Sequence, residues 1–188
     1  MQSTAHAFWR FSLRVYRTAR VESACIALQD GCGADVNVLL LCGWLASRGR
    51  SLDRRRLRQA MARVGAWQSE VVAPLRKARR AHKRLAGAMP QQEDAARTET
   101  PLHQRLLALE LELEYAEQSM LVALAQTWPP PARVLPPTAA AQRNLERYLQ
   151  LLGDGPAPDR AAADRAALDK AAAVAILVKA FGACAPSG

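Results

Sequence analysis

Residues Leu28–Gly49, LQDGCGADVNVLLLCGWLASRG, decide how this chain of 188 residues folds. Asp30, Asp35 and Asn37 crowd the glycine-rich joint Gly31-Cys32-Gly33, and an apolar run follows. Such a joint is either a polar binding corner or a tight turn between two buried helices. Glycine tolerates positive φ, so Gly31 is expected to end one helix and turn the chain sharply. Asp35 then stands at the N-cap of the next helix, where its carboxylate accepts amide protons of the first turn. Val36, Leu39, Leu40, Leu41, Trp44 and Leu45 leave that helix almost no polar side, and a helix apolar nearly all round belongs inside a bundle. The spacing of Asp30, Asp35 and Asn37 lacks the alternating ligands and terminal Glu of a calcium loop. Nor is it the paired acidic motif of a magnesium-diphosphate site. Cap and turn therefore explain the residues, and a polar corner at Asp30, Asp35 and Asn37 is the alternative. Ala27 and Gly31 have helix-turn-helix spacing, but the second helix would offer Val, Leu and Cys to base edges that are read by Arg, Asn, Gln and Lys.

On the N-terminal side, a helix is expected over Thr4–Thr18, with Phe8, Phe11 and Val15 on one stripe and Arg10, Arg14 and Arg17 on the opposite face. A short helix follows over Val21–Asp30, and the apolar helix over Val36–Ser47. On the C-terminal side the charge changes abruptly. Arg48–Arg84 holds thirteen Lys and Arg against Asp53 and Glu70, a net +11, whereas the whole chain is +9. The rest of the chain therefore sums to −2. One long helix is expected over Asp53–Ala86, kinked at Pro74, which removes a backbone donor. Arg76, Lys77, Arg79, Arg80, Lys83 and Arg84 fall on one broad arc of it and are the candidate basic binding face.

The polar stretch Met89–Pro101 has loop composition. In the next helix, Leu102–Gln126, the residues Leu102, Leu106, Leu109, Leu113, Ala116, Met120 and Ala123 alternate steps of four and three. That is coiled-coil spacing, and it marks a seam for an antiparallel hairpin or for self-association. Glu110, Glu114 and Glu117 read as solvated flanks able to pair with the basic helix. Residues 128–138 hold five prolines and form a stiff linker. Helices over Ala139–Leu152 and Arg160–Phe181 make a C-terminal extension, residues 139–188, to a core domain of residues 1–127. The fold class is all-α: a compact helical domain with a long kinked helix and an antiparallel helical hairpin.

Half of the residues are apolar and only 5% are aromatic, a mix of Ala, Leu, Val, Arg and Glu that favours helix. Val38–Cys42 and Ala171–Val178, the longest apolar runs, are far below the roughly 20 residues of a membrane span. The first 21 residues carry four arginines and no acid, without the apolar core and cleavage site of a secretory signal. Abundant Ala, Arg and Pro point to a bacterial, cytoplasmic protein. Cys25, Cys32, Cys42 and Cys184 show no close ligand pair, so neither metal nor cofactor is expected. No phosphate-binding glycine loop or nucleophile elbow occurs. His82 lies among Lys and Arg, a poor setting for a general base, and His6 and His103 have no nucleophile beside them. No catalytic residue is assigned.

Three blocks occur in order: FWRFSLRVY (Phe8–Tyr16), VESACIALQDGCGADVNVLLLCGWLA (Val21–Ala46) and AWQSEVVAPLRKARR (Ala66–Arg80). Together they resemble the signature of a small proteobacterial family defined only as a domain of unknown function, over about Phe8–Ala125. The resemblance implies a bacterial, all-helical protein and no activity. Two function classes follow from the residues. One is a cytoplasmic adaptor or regulator that docks a protein partner, acidic in character, on the hairpin or its basic face. The other is a nucleic-acid-backbone binder using Arg48–Arg84. An enzyme built on the Asp30–Asn37 corner ranks third.

Overall fold

The computed structural model describes residues 4–86, 93–153 and 160–185, with side chains described except at 86, 93–101 and 160–168. All regular structure among them is helical: α1 (Thr4–Tyr16), α2 (Val21–Cys32), α3 (Val36–Ala46), α4 (Arg54–Trp67), a π-helical turn (Gln68–Val72), α5 (Ala73–Ala86), α6 (Glu93–Gln126), α7 (Pro137–Leu152) and α8 (Arg160–Ala183).

The apolar helix α3 is the centre. Ten of its eleven residues are buried, and α1, α6, α7 and α8 pack around it. Gly43 is what lets α8 come close, since a Cβ there would lie 2.5 Å from the Phe181 ring. At the joint before α3 the turn falls later than expected. α2 continues through Gly31 and Cys32, and Gly33 takes the left-handed conformation, φ 69°, with its N–H donating to the Gln29 carbonyl at 3.0 Å. Either glycine was free to end the helix, and the chain uses the second.

α4, the π-helical turn and α5 form one continuous rod. Asp53 caps it by accepting from the Arg56 N–H at 2.7 Å. The wide turn immediately precedes Pro74, with the Ala73 N–H reaching back five residues to the Gln68 carbonyl. Proline's missing donor breaks the normal ladder, and a π turn absorbs the defect without ending the helix. α6 packs along this rod through α4, the π turn and α5. It begins at Glu93, so residues 93–101 are helical rather than loop, in keeping with strong helix formers such as Ala95, Ala96 and Arg97. Residues 89–92 lie outside the described residues.

The side of α6 that faces the molecule also differs from the expected seam. Its buried residues are Glu110, Glu117, Gln118, Leu121, Val122 and Ala125, while Leu102, Leu109 and Ala123 are exposed. The glutamates are thus not solvated flanks. Beyond α6, Trp128 tucks into the body and its indole N–H donates to Gln59 Oε1 at 3.0 Å. The Leu135 N–H is bonded to the Gly49 carbonyl at 3.0 Å, so the proline-rich segment is strapped to the α3–α4 corner. α7 and α8 contribute Leu145, Tyr148, Leu177 and Phe181 to the same hydrophobic core as α1–α4 and α6.

Candidate functional site

The six cations of the expected basic arc divide into two sets. Lys77, Arg80, Lys83 and Arg84 are exposed on α5. Arg76 and Arg79 turn toward α6 instead. Arg76 Nε donates to Glu110 Oε1 at 2.9 Å, its Nη2 bonds Glu114, and its Nη1 donates to Gln29 Oε1 of α2 at 3.4 Å. Arg79 Nε donates to the second oxygen of Glu110 at 2.5 Å. Burial pushes the Glu110 carboxyl up, but its bonds from Arg79 and Arg76 outweigh that and hold it below the usual range. Burial also raises Glu114, and there the single partner Arg76 does not fully compensate. These two arginines are a clamp that fastens α5 to α6 and α2, so four cations of the arc remain for anything outside the molecule.

The α5–α6 clamp fixes which flanks of the two helices lie side by side. Arg76 and Glu114 meet on one side of the hairpin, and the helical repeat carries Lys77, Arg80 and Arg84 of α5 and Leu107 and Leu111 of α6 to that same side. Leu107 and Leu111 are exposed. The result is a surface of cations beside exposed leucines. On α4, Arg54, Arg55, Arg58 and Arg63 are exposed as well.

At the α2–α3 joint, Asp30 is exposed, whereas Asp35 is half-buried and Asn37 buried. Asp35 caps α3, with its Oδ1 accepting from the Asn37 and Val38 N–H groups at 2.8 and 3.1 Å. Its own N–H donates to the Tyr148 hydroxyl at 2.8 Å. The Asn37 side chain is buried and accepts from Gln118 Nε2 at 2.9 Å, and the Gln118 carbonyl accepts from the Ser12 hydroxyl at 3.2 Å. Glu117 lies beside this chain of amides, fully buried, with no hydrogen-bond donor on either carboxylate oxygen among the described residues. Burial, then the neighbouring Asp35 carboxylate, push the Glu117 carboxyl far above its usual range. The shift favours the protonated form of Glu117. The corner is a closed polar lock joining α1, α3, α6 and α7.

Several of these residues were invisible at the level of sequence. Glu117 looks like a solvated flank in the sequence and nothing there marks Gln118, and only the glutamates every three or four positions on α6 hint that its polar line faces inward. Asn144 is a further case: fully buried, it donates to the Cys42 and Arg50 carbonyls at 3.1 Å each and accepts from the Leu52 N–H at 2.6 Å. Cys25 and Cys42 are buried, and burial pushes the Cys25 thiol up to about 11, which keeps it an unreactive thiol. Among the described residues no group of three or more His, Cys, Asp or Glu is placed to hold a metal ion, and no helix is long and apolar enough to cross a membrane. A cavity of about 610 Å³ between α7 and α8 has Leu149 and Val174 in its wall and Arg54, Glu146 and Lys170 around it, charges of both signs with no convergent set.

The family described as a protein of unknown function, DUF2390, matches residues 7–121, well over half of the chain, and the protein belongs to that family. No curated protein and no solved structure matches it. The matched region contains both the clamp and the buried acid Glu117, whereas Asn144 and Tyr148 lie beyond it.

Proposed function

We propose that this DUF2390 member is a non-enzymatic helical interaction protein, an adaptor or regulator that docks an acidic protein partner on the basic flank of the α5–α6 hairpin. One observation carries this reading: Lys77, Arg80 and Arg84 stand exposed beside Leu107 and Leu111. Cations next to apolar side chains suit an amphipathic helix that bears acids and leucines, because apolar contact supplies affinity and the charges supply steering and register. The polar corner supports the same conclusion. Its groups are spent on one another, and Glu117 is closed to solvent, so a substrate finds no reactive group there. The bacterial cytoplasm is the compartment that fits an Ala-, Arg- and Pro-rich chain with four free cysteines.

The exposed arginines of α4 favour a second reading, binding of a nucleic-acid backbone along Arg48–Arg84. Fluorescence anisotropy separates the two, using a labelled peptide of alternating Glu and Leu at helical spacing and a labelled duplex of arbitrary sequence. Docking of an acidic protein predicts that the peptide binds and keeps most of its affinity when salt is raised, since apolar contact is not screened. Tighter binding of the duplex, falling with a log–log salt slope of about −0.9 per phosphate contact, would replace it with the nucleic-acid reading. The triple variant Lys77→Glu, Arg80→Glu, Arg84→Glu should abolish peptide binding and leave the fold intact, because these cations are exposed and make no ion pair among the described residues. Binding unchanged in that variant would reject this face as the docking site.

A further inference from the structure

The opposite side of the hairpin carries a different surface. The flank of α5 away from the cations holds Ala78, Ala81 and Leu85, and the helical repeat sets it next to Leu102, Leu106 and Leu109 of α6. Leu102 is 41% exposed, Leu109 45% and Leu85 59%. This is the upper part of the seam with coiled-coil spacing, and Leu102 and Leu109 stay exposed on it, while Leu106 between them is half-buried like Leu113 and Met120 farther along α6. Exposed leucines at coiled-coil spacing are a strip made for another helix.

We propose that the occupant is a second copy of this chain, with α6 packed antiparallel on α6 of its partner about a two-fold axis. The seam is self-complementary in that direction. When Leu106 of one protomer packs at the level of Leu109 of the other, Leu102 meets the level of Leu113, and the same pairs recur on the other side of the axis. The charges that edge the strip agree. Arg105 and Glu112 are both exposed, stand seven residues apart, and occupy the same heptad position on the side of α6 away from α5. Neither has an ion-pair partner among the described residues. In the antiparallel register Arg105 of each protomer lies opposite Glu112 of the other, so one packing satisfies both charges twice. A parallel pairing would set like residues at the same level and leave these charges unmatched. The two basic flanks then point away from the shared strip, on the outer sides of a four-helix assembly. Dimerisation and partner docking use separate faces, so either stands without the other.

Sedimentation equilibrium on the full chain tests this. At concentrations near 100 µM, ample for a modest helical interface, the expected species is a dimer of the 20.5 kDa chain. The double variant Leu102→Glu, Leu109→Glu should sediment as a monomer with unchanged helical circular dichroism, because both positions are exposed within one chain. Arg105→Glu should weaken the dimer about tenfold, since it places like charges opposite each other on both sides of the axis. Adding Glu112→Arg should restore it. A wild-type chain that stays monomeric overturns the proposal, as does a dimer indifferent to the two leucine substitutions. Failure of the second charge reversal to rescue the first rejects the antiparallel register.

Discussion

The hydroxyl of Tyr148 accepts a hydrogen bond from the backbone N–H of Asp35 at 2.8 Å, across 113 positions of sequence. The cap residue of the central helix is thus itself held from α7. At the other end of α3, Asn144, one turn earlier on α7, bonds the Cys42 carbonyl and the chain that leaves the helix. One face of α7 fixes both ends of α3. Tyr148→Phe removes the acceptor while keeping the ring in the core. It should lower stability by about 1–2 kcal/mol, the cost of a partly buried N–H left unpaired. Urea denaturation measures it, and a loss under about 0.3 kcal/mol would show that water replaces the hydroxyl.

Glu117 gives the stability a pH dependence of predictable sign. Its carboxyl is raised in the folded protein above the ordinary value of 4.5. The folded chain therefore keeps a proton that the unfolded chain releases, and stability falls as pH rises from about 4.5 through neutral. Glu117→Gln keeps the shape and cannot ionise. The urea midpoint of that variant should be nearly flat over the same range, and it should exceed the wild type at alkaline pH. Parallel curves for the two proteins would show that Glu117 is not the group responsible.

The clamp at Arg76 makes a third test. Arg76→Met leaves Glu110 and Glu114 facing an apolar side chain, with Arg79 on Glu110 only. The side chains of the pair retain 16% and 8% exposure, and Glu114 retains 23%. The expected loss at neutral pH is about 2 kcal/mol, below the 3–5 of a fully buried broken pair. Acid should recover part of it, because protonating Glu114 removes the unpaired charge. A variant equally weak at pH 4 and pH 7 would mean that packing of the arginine stem matters more than its charge.

Two glycines should respond in opposite ways. A Cβ at Gly43 meets the buried Phe181 ring, so Gly43→Ala should cost about 1–3 kcal/mol through overpacking of α3 against α8. Gly31 lies within α2 with open space around its Cβ position and without a positive φ. Gly31→Ala should therefore raise stability by up to about 1 kcal/mol. Thermal melts of the two variants side by side read out the contrast, and a destabilised Gly31→Ala would place the helix end at Gly31 after all.

Much of the fold was legible without coordinates because its signals are local. Asp35 and Asp53 are caps because a carboxylate at a helix start meets free N–H groups whatever the rest of the chain does. α3 is buried because no side of it is polar. Pro74 disturbs the long helix because it has no N–H to give, although the chain answered with a π turn and kept the helix running. The spacing of the leucines on α6 was equally clear, but its orientation was not, since a coiled-coil repeat says that a seam exists and not which helix meets it.

Sequence alone determined the helices apart from the first turns of α6, the central place of α3 and the concentration of charge in residues 48–84, all of which follow from propensity, periodicity and composition. For α5 and α6, tertiary structure alone decided which face points inward. Arg76 and Arg79 turned away from solvent because Glu110 and Glu114 lay within reach of α5. Glu117 was closed in beside Asp35, and Tyr148 and Asn144 reached back across about a hundred residues to hold α3. Those choices depend on distances between segments far apart in the chain, and a partner at long range leaves no periodic trace in the residues it satisfies.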